Sequence, residues 1–356
     1  MTEGKSIAEL SNCFSGVLLG TAVGDALGLP AEGMSRQRIQ RRWRGAWQHR
    51  FLLGGGMVSD DTEHTVFVAQ ALLAHPDDPC AFQRCLAWKL RFWLLGAPAG
   101  LGLATLRAIL KLWLGISPDR SGVYSAGNGP AMRSAIIGAF FAKAPEKRRA
   151  FVSAATRITH TDPKAETAAM VVAEAAAWAM NQNEPVEQWL ARLASFGRDV
   201  EWGKICEKLT RALAAQISVA EFADTLGLQR GVTGYAYHSI PVALYASLHH
   251  PGNFRQALEA ALNCGGDTDT VGAIVGAIMG AKLGKQCLPA ELVAGIWEWP
   301  RSISFMERVA NRLANVNRTN RPARPVRYFW PGLILRNLLF VVVVLAHGFR
   351  RLAPPH

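Results

Sequence analysis

The sequence predicts a helical protein, and three features of the chain lead to this prediction. Glycine recurs at every fourth residue from Gly16 to Gly28 and again from Gly272 to Gly280. Each series leaves a bare ridge along a helix, so two such helices could cross at close range. The third feature is a series of helix starts in which a capping residue or a proline precedes an apolar helical pattern. We therefore expect one helical domain followed by a C-terminal tail.

Length and composition allow a large core. The chain has 356 residues, of which 50% are hydrophobic, enough for one large domain or two ordinary ones. Its six cysteines form no C-x-x-C pair and no zinc-finger spacing. A disulfide framework and a structural zinc are therefore not indicated, and the cysteines are typical of a reduced, cytosolic protein.

The positive charge is concentrated at the C-terminal end. The formal net charge is +12, but ten arginines lie after residue 300, where Glu307 is the only acidic residue. The first 300 residues then hold 29 basic and 26 acidic side chains. The main body is nearly neutral, so a nucleic-acid-binding core is not indicated and the basic excess belongs to the tail.

The apolar N-terminal segment is expected to be a core helix rather than a secretion signal. Glu3 and Lys5 do not form a positively charged start, and Asp25 interrupts the apolar run where a signal peptide would continue. The embedded Asp25 and the polar exit after Pro30 also favour packing inside a soluble core over a membrane helix. The same helix would bring Asp25 and then Glu32 to one end of the structure.

Two acidic segments each stand at the start of a helix. Residues 59–63 have the sequence SDDTE and residues 265–270 have the sequence GGDTDT. Ionised carboxylates with hydroxyls form a hard oxygen set that suits Mg²⁺, Ca²⁺ or Mn²⁺ better than Zn²⁺. Capping alone is the alternative, because Asp60 and Glu63 fit a capping box and a D-x-D pair often caps a helix. Adjacent carboxylates repel each other, however, and two bound divalent cations would relieve this repulsion.

The middle of the chain offers groups that would suit an anionic ligand. Residues 125–130, SAGNGP, precede a predicted helix over 131–142, and glycine-lined amides at a helix start suit a diphosphate. A plain turn is the alternative. Arg133 lies in that helix, where a structural ion pair is favoured over a phosphate contact. Tyr235 precedes a helix that begins near Pro241, and it either stacks on a ligand or covers the core.

Five segments in this order resemble the ADP-ribosylglycohydrolase family, which includes the dinitrogenase-reductase-activating glycohydrolases and the ADP-ribosyl-arginine and ADP-ribosyl-serine hydrolases. They are GVLLGTAVGDALGLPAE at residues 16–32, SDDT at 59–62, GNGPAMR at 127–133, TH at 159–160 and GGDTDT at 265–270. Five segments in order are far more specific than any one of them. The resemblance implies an all-α fold, a centre of two Mg²⁺ ions with Mn²⁺ as a substitute, and hydrolysis of the bond between ADP-ribose C1″ and a modified group.

The resemblance also implies roles for individual residues. Ser59 stands where a threonine is more usual in the family, and the serine keeps the hydroxyl group. His160 occupies the substrate-facing position of the T-H pair, and Glu32 matches a glutamate that closes over the metals as a flap in serine-type members. The implied metal ligands are Ser59, Asp60, Asp61, Asp267, Asp269 and Thr270, and the expected substrate contacts are Ser125, Gly127, Asn128, Gly129, His160 and Tyr235.

The catalytic base and the leaving group stay open at this point. Asp60, Asp61 and Glu32 all qualify as the carboxylate that takes the proton of the attacking water. The expected partner is an ADP-ribosylated protein, of arginine or serine type, or a small ADP-ribosyl conjugate. The alternative is a catalytically silent ADP-ribose-binding or scaffold protein of the same fold. It is disfavoured because the chain keeps all four acidic ligands.

The chain is predicted to divide into a catalytic domain over residues 1–316 and a tail over residues 317–356. Residues 318–327 hold four arginines together with Pro322 and Pro325. Because proline interrupts a helix, this basic linker is not expected to be helical throughout.

An apolar segment over residues 333–349 follows the linker. Its 17 residues are fewer than the roughly 20 needed to span a bilayer, and Arg336 would be costly inside a membrane. Two alternatives are weighted equally: attachment to an anionic membrane surface, and docking on the protein's own core or on a partner subunit. The predicted location is cytoplasmic, with peripheral membrane attachment through residues 333–349 under the first alternative.

Overall fold

A computed structural model describes residues 5–352 of the chain except positions 44, 99, 182 and 183. Helices form the regular structure of this part of the chain, and no β-strand occurs in it. Isolated β-bridges tie several loops together. The predicted all-α fold is confirmed.

Eighteen α-helices follow one another in the described residues. The first nine are α1 (Ile7–Gly28), α2 (Arg36–Arg42), α3 (Asp60–Ala74), α4 (Pro79–Leu95), α5 (Leu103–Trp113), α6 (Gly129–Met132), α7 (Ala135–Phe140), α8 (Pro145–Arg157) and α9 (Pro163–Asn181). The others are α10 (Val186–Leu193), α11 (Val200–Ala215), α12 (Val219–Thr225), α13 (Ala236–His249), α14 (Phe254–Leu262), α15 (Thr268–Leu283), α16 (Ala290–Ala294), α17 (Ile303–Thr319) and α18 (Pro331–Leu352).

Helices α1 and α15 cross backbone to backbone in the core, along their two glycine ridges. A Cβ atom on Gly20 would overlap the carbonyl oxygen of Gly276, and a Cβ atom on Gly276 would overlap that of Gly20. The predicted close crossing is therefore confirmed. At one end of the crossing the Thr268 hydroxyl donates to the Gly28 carbonyl at 2.8 Å. The end of α1 is thereby held beside the start of α15.

The helix predicted over residues 131–142 is instead two short helices, α6 and α7. The break falls at Arg133 and Ser134, which lie between Met132 and Ala135. The Ser134 hydroxyl donates back to the Pro130 carbonyl at 2.8 Å, an interaction that competes with regular helical hydrogen bonding. The direction of the chain therefore changes within the segment that was expected to be continuous.

The linker between α17 and α18 lies across α3. It is not helical in the structure, as the prolines predicted. The Ala323 amide donates to the Leu73 carbonyl, and Val326 exchanges two hydrogen bonds with the Gln70 side chain. The predicted domain boundary after residue 316 falls inside α17, so the start of the tail is continuous with a core helix.

Helix α18 docks one face on the protein itself. Arg336 is buried in an ion pair with Glu298, and the rings of Phe340 and Phe51 lie 5.2 Å apart. The predicted apolar run of 17 residues lies inside a helix of 22 residues, of which Pro331–Phe349 is long and apolar enough to allow a span, so the argument that the segment is too short is wrong. Among the described residues, two segments are long and apolar enough to allow a span, Ile7–Ala31 and Pro331–Phe349; the most apolar 18-residue stretch is wholly buried in the first and 33% buried in the second. Membrane attachment of α18 stays a prediction.

Candidate active site

A cavity of about 810 Å³ opens where α1, α3 and α15 meet. Among the described residues that line it, Arg230 is the only lysine or arginine. The carboxylates in its wall are Glu32, Asp60, Asp61, Asp267 and Asp269. The cavity is therefore strongly acidic on the side where the two predicted metal-binding segments lie.

Asp25 of α1 holds the start of α3 in place. Its carboxylate accepts hydrogen bonds from the Ser59 amide at 2.9 Å, the Thr62 amide at 3.1 Å and the Thr62 hydroxyl at 2.6 Å. Burial raises the pKa of Asp25 to about 7, although these hydrogen bonds act in the opposite direction. Asp25 is not part of the cavity wall. Asp25 therefore orients the SDDT segment from outside the cavity wall.

Asp61 is the point at which the two acidic segments touch. Its Oδ2 atom accepts hydrogen bonds from the Ser59 hydroxyl at 3.1 Å and from the Thr270 hydroxyl at 3.3 Å. Its Oδ1 atom is buried and accepts no hydrogen bond from any described residue, and the same holds for Oδ1 of Asp269. Because buried oxygens are normally satisfied, these two atoms indicate that a ligand is needed.

Asp267 joins the start of α15 to the loop before α6. Its Oδ2 atom accepts a hydrogen bond of 2.6 Å from the side-chain amide of Asn128, which also donates to the Ser239 hydroxyl at 3.1 Å. Asn128 was expected to contact the substrate. In the structure its side-chain donor group is used inside the protein, where it positions Asp267.

The carboxylates of the cavity raise one another's pKa. Burial is the largest cause for Asp60, Asp61 and Asp269, and it lifts the pKa of each well above the usual range. The charge of Asp25 raises the pKa of Asp60 and Asp61 further, and the charge of Glu32 does so for Asp269. A cation in this cavity would relieve the repulsion and favour the ionised carboxylates.

The oxygen donors fit a hard divalent cation. They are carboxylates and hydroxyls from two helix starts, the ligand types that Mg²⁺ and Mn²⁺ prefer. Within the described part of the chain, no three His, Cys, Asp or Glu side chains converge closely enough to hold a metal by themselves. The hydroxyls of Ser59 and Thr270 are of other residue types, and they complete an oxygen set around Asp61.

Glu32 lies at the rim of the cavity, on the loop that follows α1. Its side chain is exposed. Directly after it the Gly33 amide donates to the Gly266 carbonyl at 2.8 Å, and the Gly266 amide donates to the Met34 carbonyl at 2.7 Å. Gly33 has a φ of 73°, a conformation that glycine adopts readily. Glu32 is thereby held close to the start of α15, and its role as a flap stays a prediction.

The loop over residues 125–130 differs from the predicted anion cradle. The Gly127 amide donates to the Ser125 hydroxyl at 3.4 Å, and the Asn128 amide donates to the Gly234 carbonyl at 3.0 Å. Helix α6 has only four residues, so its dipole adds little. Two of the amides expected to face a diphosphate are therefore used inside the protein. Ser125, Gly127 and Gly129 nevertheless line the cavity.

A buried series of side chains holds His160 in the cavity wall. Arg133 Nη2 donates to the Thr159 hydroxyl at 2.6 Å, and this hydroxyl lies 2.9 Å from His160 Nδ1. The predicted ion pair of Arg133 is not formed with any described residue, and its other hydrogen bond is donated to the Ala155 carbonyl. Burial lowers the pKa of His160 to about 3. His160 therefore faces the cavity as a neutral imidazole.

Tyr235 stands beside the cavity rather than in its wall. Its hydroxyl donates to the Glu201 carboxylate at 3.0 Å and accepts a hydrogen bond of 2.8 Å from Lys164. Lys164 and Glu201 form an ion pair of 2.6 Å. Tyr235 is not among the described lining residues, in contrast to its predicted position, and its hydroxyl is bonded to this pair instead.

Several residues of the wall were not predicted from the sequence, among them Arg230 and Thr105. Arg230 is exposed and precedes the glycine-containing loop 231–234, and a basic residue beside such a loop is the signal that could have indicated it. Thr105 lies in the first turn of α5. That helix has an ordinary amphipathic pattern, so no local signal marked Thr105.

The burial of His160 predicts a pH dependence of stability. The unfolded chain takes up a proton below pH 6.5, whereas the folded protein does not until about pH 3. Stability should therefore fall as the pH drops through this window, by roughly 2 kcal/mol at pH 5. Urea unfolding of the wild type and of His160→Gln at pH 7.5 and pH 5 would test this. A difference between the two proteins that does not change with pH would contradict it.

Comparison with known proteins agrees with the geometry. The ADP-ribosylglycohydrolase family model matches residues 7–323 of the chain. A protein of Archaeoglobus fulgidus is 30% identical over 311 residues, which cover 84% of this chain and 95% of the relative. An ADP-ribosyl-[dinitrogen reductase] glycohydrolase of Rhodospirillum rubrum is 26% identical over 283 residues, which cover 77% of this chain and 87% of the relative.

A solved structure is similar in fold as well as in sequence. It is described as an ADP-ribosylglycohydrolase-related protein complex, and it matches with a TM-score of 0.60 and 26% identity. The match covers 87% of this chain and 99% of the solved chain. The residues that the family model spans include α1, α3 and α15, and thus both acidic helix starts.

Proposed function

The chain belongs to the ADP-ribosylglycohydrolase family, whose members are hydrolases of ADP-ribose linkages, and on this premise we propose that it removes ADP-ribose from a modified protein side chain by metal-dependent hydrolysis at ribose C1″. A small ADP-ribosyl conjugate would be hydrolysed in the same way. The observation that carries the proposal is the meeting of two acidic helix starts at Asp61 in the wall of the cavity. The cavity volume of about 810 Å³ is in the range of small-molecule sites.

The acidic side of the cavity would hold the cofactor. Two Mg²⁺ ions, with Mn²⁺ as a substitute, would supply positive charge that keeps the carboxylates ionised and polarises the ribose hydroxyls. The residues proposed to hold them are Ser59, Asp60, Asp61, Asp267, Asp269 and Thr270. Asp25 and Asn128 support these residues, since each fixes one of the two helix starts through hydrogen bonds.

Hydrolysis at C1″ needs a carboxylate that takes a proton from the attacking water. Asp60 is partly exposed in the cavity wall, whereas Asp61 is buried between two hydroxyls. We therefore assign Asp60 as the base and Asp61 as the residue that holds the two helix starts together. Positive charge that develops at C1″ would be stabilised by the surrounding carboxylates.

The opposite side of the cavity would hold the rest of the substrate. His160 offers a neutral imidazole, and Gly127 and Gly129 leave room for a ligand beside its ring. Arg230 at the rim has the charge that a diphosphate requires. Arg230 precedes the loop that pairs with Gly266, so its charge lies near the acidic helix start, and the cavity suits a ligand that carries both a ribose and phosphates.

A substrate panel tests the proposal. The purified full chain would be incubated with ADP-ribosylated arginine, serine and nucleic-acid substrates in Mg²⁺ and in EDTA, and free ADP-ribose would be measured by chromatography. We expect release from at least one protein-type substrate in Mg²⁺ and none in EDTA. Binding of ADP-ribose without release from any substrate would instead favour the silent binding or scaffold protein.

Glu32 is expected to matter for turnover more than for binding. Its loop is hydrogen-bonded to Gly266 beside the start of α15, and its charge raises the pKa of Asp269, so it lies close to the proposed metal ligands. Glu32→Gln should lower turnover on the order of 10²-fold while ADP-ribose affinity changes far less, as for a group that acts mainly in the transition state. The matched control is Glu187→Gln, which changes an exposed glutamate on α10. Equal turnover in Glu32→Gln and the control would remove Glu32 from the mechanism.

A further inference from the structure

A second large cavity lies away from the acidic one. Its volume is about 880 Å³, and we call it the α4–α18 cavity because it lies between α4, the second half of α3 and the segment that leads into α18. Aromatic rings form much of its wall; they belong to Phe67, Trp88, Phe92, Trp93, Tyr328 and Trp330. A volume of this size with apolar walls is typical of a site for a small molecule.

The charged side chains in this wall are all basic. Arg84, Lys89 and Arg301 line the cavity, and no acidic side chain is among its described lining residues. Burial lowers the pKa of Lys89, and the nearby charge of Arg301 lowers it further. Lys89 forms no ion pair with a described residue. Lys89 is partly buried and lines the cavity, so its ammonium group is available to pair with an anionic ligand there.

Arg301 adds a donor that is not satisfied. Its side chain is 5% exposed and forms an ion pair with Glu63 through Nη2. The guanidinium lies over the rings of Phe67 and Tyr328, at 5.0 Å and 5.5 Å from their centroids. Its Nη1 atom is buried and has no hydrogen-bond partner among the described residues. Glu63 thus neutralises one charge and leaves a free N–H group on a residue of the cavity wall.

The amide side chains of the wall are already occupied. Gln70 exchanges two hydrogen bonds with the backbone of Val326. Asn337 donates to the Gly96 carbonyl at 2.6 Å and accepts a hydrogen bond from Arg336. Neither amide is free to recognise the edge of a nucleobase. The charged groups of the wall are basic and the rest of it is mainly apolar, which favours a ligand with one anionic end and an apolar body.

We propose that the α4–α18 cavity binds an amphipathic organic anion, a carboxylate or phosphate on a single acyl-type chain, with the anion at Lys89 and Arg301 and the chain along the aromatic wall. Trp88, Phe92 and Leu95 are 52%, 46% and 55% exposed beside the cavity, and a bound chain would cover part of this apolar surface. This cavity shares no described lining residue with the acidic cavity.

The test compares a charged ligand with its uncharged counterpart. Sodium decanoate below its micelle concentration and 1-decanol would each be titrated into the full chain, with tryptophan fluorescence and calorimetry as readouts. We expect one decanoate per chain, bound at least tenfold more tightly than decanol. Lys89→Met should lower the decanoate affinity roughly 10–100-fold, the effect of losing a charged hydrogen bond, and leave decanol binding unchanged.

The matched control is Lys282→Met, which removes a half-buried lysine on α15 that lies over the ring of Trp178. It should bind decanoate like the wild type. Lys89→Arg keeps the charge and should restore most of the affinity. Equal decanoate binding in Lys89→Met and wild type, or no saturable decanoate binding at all, would overturn the proposal.

A vesicle arm distinguishes a free anion from a lipid. Vesicles of phosphatidylglycerol and of phosphatidylcholine would be mixed with the wild type, Lys89→Met and Lys282→Met. Binding to phosphatidylglycerol that only Lys89→Met weakens would identify a lipid headgroup as the source of the anion. Decanoate binding that depends on Lys89, without vesicle binding, would identify a free anion. Vesicle binding that is equal in all three proteins, with no decanoate binding, would contradict the site.

Discussion

Asp61→Asn is expected to abolish hydrolysis while leaving the protein folded. The substitution keeps the size of the side chain and removes a negative charge from the point where Ser59 and Thr270 meet. We expect turnover to fall on the order of 10²–10⁴-fold. Since the charges of Asp60 and Asp267 oppose ionisation of Asp61, the variant should be at least as stable as the wild type in EDTA.

Two readouts separate this result from unfolding. Release of ADP-ribose measures the chemistry, and the rise in melting temperature on adding Mg²⁺ measures cation binding. Asp61→Asn should lose both, whereas Asp199→Asn should keep both. Asp199 is a suitable control because it caps α11 and binds the Tyr237 hydroxyl, away from the cavity. Normal turnover of Asp61→Asn in EDTA would refute the metal-dependent proposal.

The parts of the site that could be predicted are those with local causes. Capping residues, adjacent acids and a repeated glycine all act within a few positions of the chain, so residues 59–63 and 265–270 were placed correctly at helix starts. The two glycine ridges also predicted which helices cross. Their crossing brings the two acidic starts together, and this long-range consequence followed from two local patterns.

The parts that could not be predicted depend on distant partners. The Tyr235 hydroxyl is bonded to Lys164 and Glu201, which are 71 and 34 positions away in the sequence. Arg133 reaches a hydroxyl 26 positions away instead of an acid. Neither helix propensity nor the spacing of residues in the sequence predicts such contacts, because each contact depends on how the helices pack.

The contact of Arg336 in the tail could not be predicted from the sequence for the same reason. Its partner Glu298 is 38 positions away, and the sequence alone left docking and membrane attachment equally weighted. The structure shows one face of α18 docked. Residues of the other face, such as Leu335 and Val342, are 66% and 62% exposed. From the sequence alone, an apolar helix that contains one arginine is compatible with docking on the protein and with membrane attachment. The position of the acidic partner is needed to distinguish them.

Gly20→Ala is expected to be among the most destabilising substitutions that add only one methyl group. The new Cβ atom would overlap the carbonyl oxygen of Gly276, which is backbone and has no rotamer to change. Helices α1 and α15 would have to separate along the whole crossing. We expect a loss of at least about 3 kcal/mol, the upper end for an overpacked core.

The matched control is Gly203→Ala, which also adds one methyl group inside a helix. Gly203 lies in α11, and a Cβ atom there meets nothing within 4 Å. Because alanine restricts the unfolded chain, Gly203→Ala should stabilise the protein by about 0.4–1 kcal/mol. Urea unfolding followed by circular dichroism would measure both variants. Opposite signs for two identical chemical changes would show that close contact of the two backbones, rather than helix propensity, decides the cost at Gly20. Equal effects would contradict the crossing, and with it the mechanism that holds Asp61 beside Thr270.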